Sequence, residues 1–208
     1  MPMRLAGIQV SLTLAIAILA MPTAQAATEV GGVSRAHGSC VGLSDGTSRP
    51  LAAGLPVHMD EEITTGEAAR LEVTFDEGSV LTLGARARVV IDTFVYRPEA
   101  GLDRMLLSST GPFRLVTGAL ASPATRIDVR TPAAVIGVRG TDYWAGPIDG
   151  VFGVLVLEGV VTVTTNAGAV VLDEPGEGVN LEGIDLPPGP VTQWSADKVD
   201  RALATVAF

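Results

Sequence analysis

Apolar residues recur at every second position along much of this chain, and that alternation constrains the fold more than any other feature. In Arg70-Leu71-Glu72-Val73-Thr74-Phe75-Asp76, the apolar Leu71, Val73 and Phe75 fall on one face of an extended strand. Arg126-Ile127-Asp128-Val129-Arg130 and Val161-Thr162-Val163-Thr164 repeat the pattern. Turn residues separate the runs: Ser44-Asp45-Gly46, Asp76-Glu77-Gly78-Ser79, Asp149-Gly150, Glu158-Gly159, Asn166-Ala167-Gly168 and Pro175-Gly176. Short strands between turns predict an all-β domain, either a twisted β-solenoid-like or a two-layer β-sheet, with no strict internal repeat. Two runs, Arg88 to Tyr96 and Val151 to Leu157, are more apolar than alternation requires. Such runs suit strands covered on both faces.

The two ends of the chain break this pattern. Near the start, Arg4 is followed by the apolar stretch Ile8 to Ala20 and then by Ala24-Gln25-Ala26, a small-x-small cleavage site. Residues 1–26 therefore read as a signal peptide, which places the mature chain in the periplasm or outside the cell after cleavage near Ala26. The apolar core is short for the roughly 20 residues a bilayer span needs, so no transmembrane span is expected in the mature chain. Residues 27–186 form the expected β domain, and 187–208 a Pro-rich linker and helix. Pro187-Pro188-Gly189-Pro190 ends the sheet pattern. Ser195 is then a suitable N-cap, Asp197 complements the helix dipole, and Ala196, Val199, Leu203 and Val206 give an apolar face. The predicted short C-terminal α-helix runs from Ser195 to Thr205. Too short to be stable alone, it must dock on the sheet or be mobile.

Composition removes several functional classes. The formal charge is −9, and the loss of the one positive charge of Arg4 with the export segment makes it −10. Lys198 is the single lysine and the arginines form no block in sequence, so nucleic-acid binding is not expected. Cys40 is the one cysteine, which rules out an internal disulfide; it reads as a buried small hydrophobe. With His37 and His58 as the two histidines, no three-histidine zinc site can form, and no metal or cofactor is expected. Asp60-Glu61-Glu62 beside His58 reads as a solvated acidic loop. No Gly-x-Ser-x-Gly elbow occurs, and the adjacent Asp173 and Glu174 would point to opposite faces of a strand, so no catalytic residues are assigned. Gly137-x-x-Gly140 lacks the third glycine and the following helix of a nucleotide-binding loop.

The order of elements is more specific. Asp60-Glu61-Glu62-Ile63-Thr64-Thr65-Gly66, Ala69 to Phe75 and Asp76-Glu77-Gly78-Ser79-Val80-Leu81-Thr82-Leu83 are followed by Thr131-Pro132-Ala133-Ala134-Val135-Ile136-Gly137-Val138-Arg139-Gly140-Thr141 and by Val156 to Val163. This succession resembles the FecR domain over about residues 29 to 182, most specifically in the segment 131–141. The resemblance implies a periplasmic sensor-like β domain of signalling proteins, with a strand-corner-strand element at 131–141. Glu77 stands where the family usually passes directly from Asp to Gly-Ser, which predicts a turn one residue longer. FecR-type regulators of sigma factors carry an anti-sigma domain and a transmembrane helix ahead of the sensor. Here an export signal precedes it, so direct control of a sigma factor is not expected.

Arg139 and Thr141 are the candidate binding residues. An arginine among valines must have its donors paired, so the corner is expected to use Arg139 as a clasp on backbone carbonyls, with ligand contact as the alternative. The expected function is non-enzymatic recognition of an envelope protein or a cell-wall polymer, through an exposed strand edge rather than a pocket. An envelope carbohydrate hydrolase and a purely structural surface module are the competing classes.

Overall fold

A computed structural model describes residues 27–118 and 121–208 of the chain. The signal peptide expected at residues 1–26 lies outside the described residues. Among the described residues, sixteen strands precede a single helix: β1 Glu29–His37, β2 Cys40–Ser44, β3 Thr47–Pro50, β4 Pro56–His58, β5 Glu62–Thr65, β6 Arg70–Phe75, β7 Val80–Leu83, β8 Arg88–Arg97, β9 Gly101–Thr110 and β10 Phe113–Val116. Then come β11 Ala121–Arg130, β12 Val135–Ile148, β13 Val151–Thr165, β14 Gly168–Leu172, β15 Glu177–Leu181, β16 Thr192–Gln193 and the helix α1 Ala196–Ala204.

The sixteen strands belong to one curled sheet: twelve follow the order β3-β2-β5-β8-β9-β11-β12-β10-β7-β6-β1-β4, while β13 pairs with β12, β14 and β15, and β16 pairs with β15. The long hairpin of β12 and β13 makes the curl. The first part of β12 pairs with β11, Val135 opposite Arg130 and Val138 opposite Ile127, while its later part pairs with β10, Asp142 opposite Val116 and Ala145 opposite Phe113. One pair of strands thus serves two wings, and the wings fold over a common core. Phe75 of β6 stacks on Phe94 of β8 across the core with ring centroids 5.6 Å apart, and Phe113 meets Tyr143 edge-on at 5.8 Å. The all-β expectation holds, realised as one curled, open sheet with a short C-terminal helix.

The alternation read from the sequence fills that core. Leu71, Val73, Phe75, Leu81, Leu83, Val89, Ile91, Ile127, Val129, Val161 and Val163 are all buried. Each such side chain contributes roughly 1.5–3 kcal/mol of burial. Of the two strongly apolar runs, Val151 to Leu157 is covered on both sides, with Val154 and Val156 in the main core and Leu155 in a second cluster against the helix. The run from Arg88 to Tyr96 is not, and this corrects the expectation. Breaks in register between Ile91 and Thr93 and between Val95 and Tyr96 interrupt its alternation, leaving Val95 on the surface.

The helix docks on the outer surface of the later half of the hairpin. Ser195 caps it, its hydroxyl accepting from the Lys198 amide at 3.3 Å, and Arg201 reaches back to Asp197 at 3.0 Å. Trp144 donates its indole N–H to the Thr205 hydroxyl at 2.9 Å and packs edge-on against Trp194, with Ala202 and Val206 buried in the same cluster. Of the two alternatives for the helix, docking is the one observed.

The sheet does not close on itself. No ladder joins its end strands β3 and β4; Arg49 spans them instead, donating to the Pro56 carbonyl at 2.6 Å and gripping both carboxylate oxygens of Glu61 at 2.9 and 2.8 Å. Glu61 is fully buried and lies against Gly42, whose missing side chain leaves room for the carboxylate. The solvated acidic loop expected at residues 60–62 is therefore corrected at Glu61. A buried carboxylate needs a partner, and an arginine distant in sequence supplies it.

Candidate functional site

The segment 137–144 forms the bend of the hairpin. Register between β12 and β13 slips twice here: Arg139 lies opposite Val160, Asp142 opposite Glu158 and Tyr143 opposite Val156. These are successive bulges, one on each strand. Gly140 adopts φ +57° and Gly159 φ +85°, and a side chain on Gly159 would strike the Gly140 carbonyl. Only glycine fits both requirements there.

Thr141 secures the bend. It is buried, its hydroxyl accepts from the Arg139 amide at 3.0 Å and donates to the Val160 carbonyl at 3.1 Å, and its own amide donates to the Thr117 hydroxyl at 2.7 Å. Thr117 returns its amide to the Thr141 carbonyl at 2.9 Å. Arg114 and Asp142 form a two-pronged ion pair next to it at 2.8 and 2.6 Å, which raises the arginine pKa further through the hydrogen bonds to Asp142. Neither Thr117 nor Arg114 was a sequence candidate. Both lie within ordinary strand alternation, and only the pairing of β10 with β12 gives them a role.

Arg139 does something else. Its guanidinium takes no hydrogen bond or ion pair among the described residues, and the side chain is exposed. The expected clasp on backbone carbonyls is thus overturned at Arg139. The bulge turns its side chain out of the sheet, and Val160 opposite it is itself 42% exposed, so the valines around it form no closed apolar shell. The backbone clasp belongs to Thr141.

Outside the sheet, Arg139 borders a trough of about 430 Å³ lined by Arg126, Asp128, Gly137, Val160 and Thr162 among others. Its floor is Gly137, whose absent side chain leaves the space between Asp128 and Thr162 open. Asp128 lies 3.6 Å from Arg126, a loose pair in which the arginine side chain remains 72% exposed. The trough sits on the earlier half of the hairpin, which no helix among the described residues covers.

Other titratable groups are structural. Glu77, in the lengthened turn between β6 and β7, is buried; one oxygen accepts from the Ser79 amide at 2.9 Å, the other has no partner, and burial raises its pKa. The Tyr143 hydroxyl is buried without a partner, and desolvation raises its pKa strongly. Cys40 is buried, its thiol 3.4 Å from the Arg70 carbonyl, and burial raises its pKa as well. Asp173 and Glu174 lie in an exposed turn, both amides donating to Glu177 at 3.0 and 3.1 Å. Among the described residues no three of His, Cys, Asp and Glu come together as a metal site. No helix among them is long and apolar enough to cross a membrane. The sheet edge narrows to few places: β3 and β4 are bridged by Arg49, β16 has two residues, and β14 pairs with β13 alone.

In a comparison against protein families, residues 61–162 match the FecR protein family. This stretch of the chain is a FecR domain. The match is narrower than the 29–182 expected and contains Arg139, Thr141 and the whole trough. Two crystal structures of a candidate anti-sigma factor from Parabacteroides distasonis share the fold with a TM-score of 0.54 in each case. They are 22% identical to this FecR-domain chain, and the likeness covers 68% of it and 64% and 63% of theirs. No curated protein matches the chain.

Proposed function

We propose that this chain is an exported, non-enzymatic recognition domain of the FecR sensor type, periplasmic or secreted after cleavage near Ala26, which binds an envelope protein or a cell-wall polymer. One observation carries the reading: the FecR domain exposes Arg139, without a partner and on the half of its central hairpin left uncovered among the described residues. A charged side chain held on a rigid bulge, with its donors open, is positioned to meet an anionic group of a partner. Thr141 serves the same site from beneath, by fixing the bulge.

The face of the sheet is favoured over its edge because Arg139, without a partner among the described residues, lies on the face. Recognition is favoured over hydrolysis because four cavities among the described residues are lined by one carboxylate each or none, whereas glycoside hydrolysis uses a pair. The test is crosslinked capture from envelope extract by the purified mature domain and by Arg139→Ala. Loss of capture at an unchanged melting temperature supports the reading. Equal capture by both proteins refutes it.

A further inference from the structure

We infer that the uncovered face binds an acidic polysaccharide, one whose sugar rings carry carboxylates; this rests on the recognition reading above and names the partner's chemistry. The observation is a cross-strand row of arginines. Arg104 on β9 lies opposite Arg126 on β11, and Val95 flanks Arg104 on the far side. Arg126 and Arg139 border the same trough, one step beyond the paired Ile127 and Val138, and Val160 ends the row. All three arginines are exposed. Among the described residues Arg104 and Arg139 have no ionic partner, and Arg126 has only the loose contact to Asp128.

Like charges set directly across neighbouring strands destabilise a sheet. Solvation softens the repulsion without turning it into attraction, so folding gives no reason for the row. A bound chain of anions would supply one, and in a protein of net charge −9 this concentration of free arginines is local. Neighbouring strands are about 4.8 Å apart, so the backbone positions that carry these arginines recur at about that interval along a line crossing the strands. Each guanidinium presents a fork of donors that matches a carboxylate.

The rest of the trough selects among polyanions. Asp128 and Thr162 flank the open floor at Gly137, offering acceptors and one hydroxyl donor beside the arginines. A ring that carries both hydroxyls and a carboxylate can donate to Asp128 while its acid group meets an arginine. A phosphate backbone has no donor for Asp128 and is repelled by it. An extended acidic peptide repeats its like-facing side chains about every 6.6–6.8 Å, out of step with the row. Val95 and Val160 at the two ends offer apolar surface to the sugar ring faces.

The experiment uses the mature chain and four probes at fixed ionic strength: polygalacturonate, its fully methyl-esterified form, polyglutamate and polyphosphate, with binding measured calorimetrically. Polygalacturonate is expected to bind at least about tenfold tighter than the other three and to weaken as salt rises. Arg126→Gln and Arg139→Gln are each expected to weaken it about tenfold. Gly137→Val should abolish binding by filling the trough while leaving the melting temperature in place, because a Cβ added there meets nothing closer than 3.4 Å and the trough beyond it is open. Binding of the methyl ester as tight as the acid, preference for polyglutamate or polyphosphate, or wild-type affinity in Gly137→Val overturns the inference. If polygalacturonate fails while Arg139→Ala still abolishes envelope capture, the polysaccharide is wrong and the recognition reading stands. If capture is also unaffected, both fall.

Discussion

The two halves of the β12–β13 hairpin are made of the same strands and meet the same core, yet their outer surfaces differ completely. In the later half, Trp144 and Leu155 point outward and are buried beneath α1, with Trp194 and Val206 completing the cluster. In the earlier half, the outward positions are Gly137, Arg139, Val160 and Thr162, and no element among the described residues covers them. The bulges at residues 139–142 and 156–160 lie between the two. One half is therefore sealed for stability, and the other is held rigid by the same strands while its polar groups stay open. A binding face is best built on such a rigid support, because little ordering is left to do when the partner arrives.

The strongest way to break this contrast is to unseal the covered half. Trp144→Ala removes a fully buried indole and its hydrogen bond to Thr205, and is expected to cost about 3–5 kcal/mol in denaturant unfolding. A loss below about 1 kcal/mol would mean that the helix does not hold that half shut. Thr141→Val attacks the boundary between the halves: it keeps the shape but strands the Arg139 amide and the Val160 carbonyl, an expected loss of about 2 kcal/mol. A variant as stable as the parent would show that the two glycines hold the bulge without the threonine.

Behind the boundary, Glu77 offers a pH test. Ser79, whose amide bonds to Glu77, also accepts from the Gly118 amide next to Thr117. Burial raises the folded pKa of Glu77 above its ordinary 4.5. Its stabilising, protonated form is fully present below that ordinary value, and the contribution is lost as pH rises through the folded pKa. Glu77→Gln should thus raise the melting temperature at pH 7 and change it much less at pH 4; an equal change at both values would contradict the assignment. Tyr143→Phe, on the core side of the same hairpin, removes a buried hydroxyl without a partner and should stabilise by about 1 kcal/mol at neutral pH. The smallest effect belongs to the open half. Arg139→Ala should alter unfolding free energy by less than about 0.5 kcal/mol, since nothing in the described protein depends on its guanidinium.

Much of the architecture was legible from local pattern. Period-two burial along Arg70 to Phe75, the turn at residues 76–79 and the capped helix after Ser195 all follow from side-chain direction and backbone preference. Part of the site was legible as well, since the glycines around Arg139 mark an irregular corner. The role of Arg139 was misread because its neighbours in sequence are valines, and a strand sends neighbours to opposite faces. Val138 is buried where Arg139 is exposed. Likewise, Asp60-Glu61-Glu62 looks uniformly polar in sequence, and nothing local shows that Arg49 will enclose the middle carboxylate.

By itself, then, the order of residues determined that the chain forms short pleated strands, where they turn, which side of each strand is apolar, and that a helix closes the described chain. Those properties depend on neighbours within a few positions. Tertiary structure alone decided that one hairpin would serve both wings, that α1 would cover only its later half, and that Arg104, Arg126 and Arg139 would stand side by side. Each is a juxtaposition of residues far apart along the chain, produced by strand pairing and core closure, which no local pattern encodes.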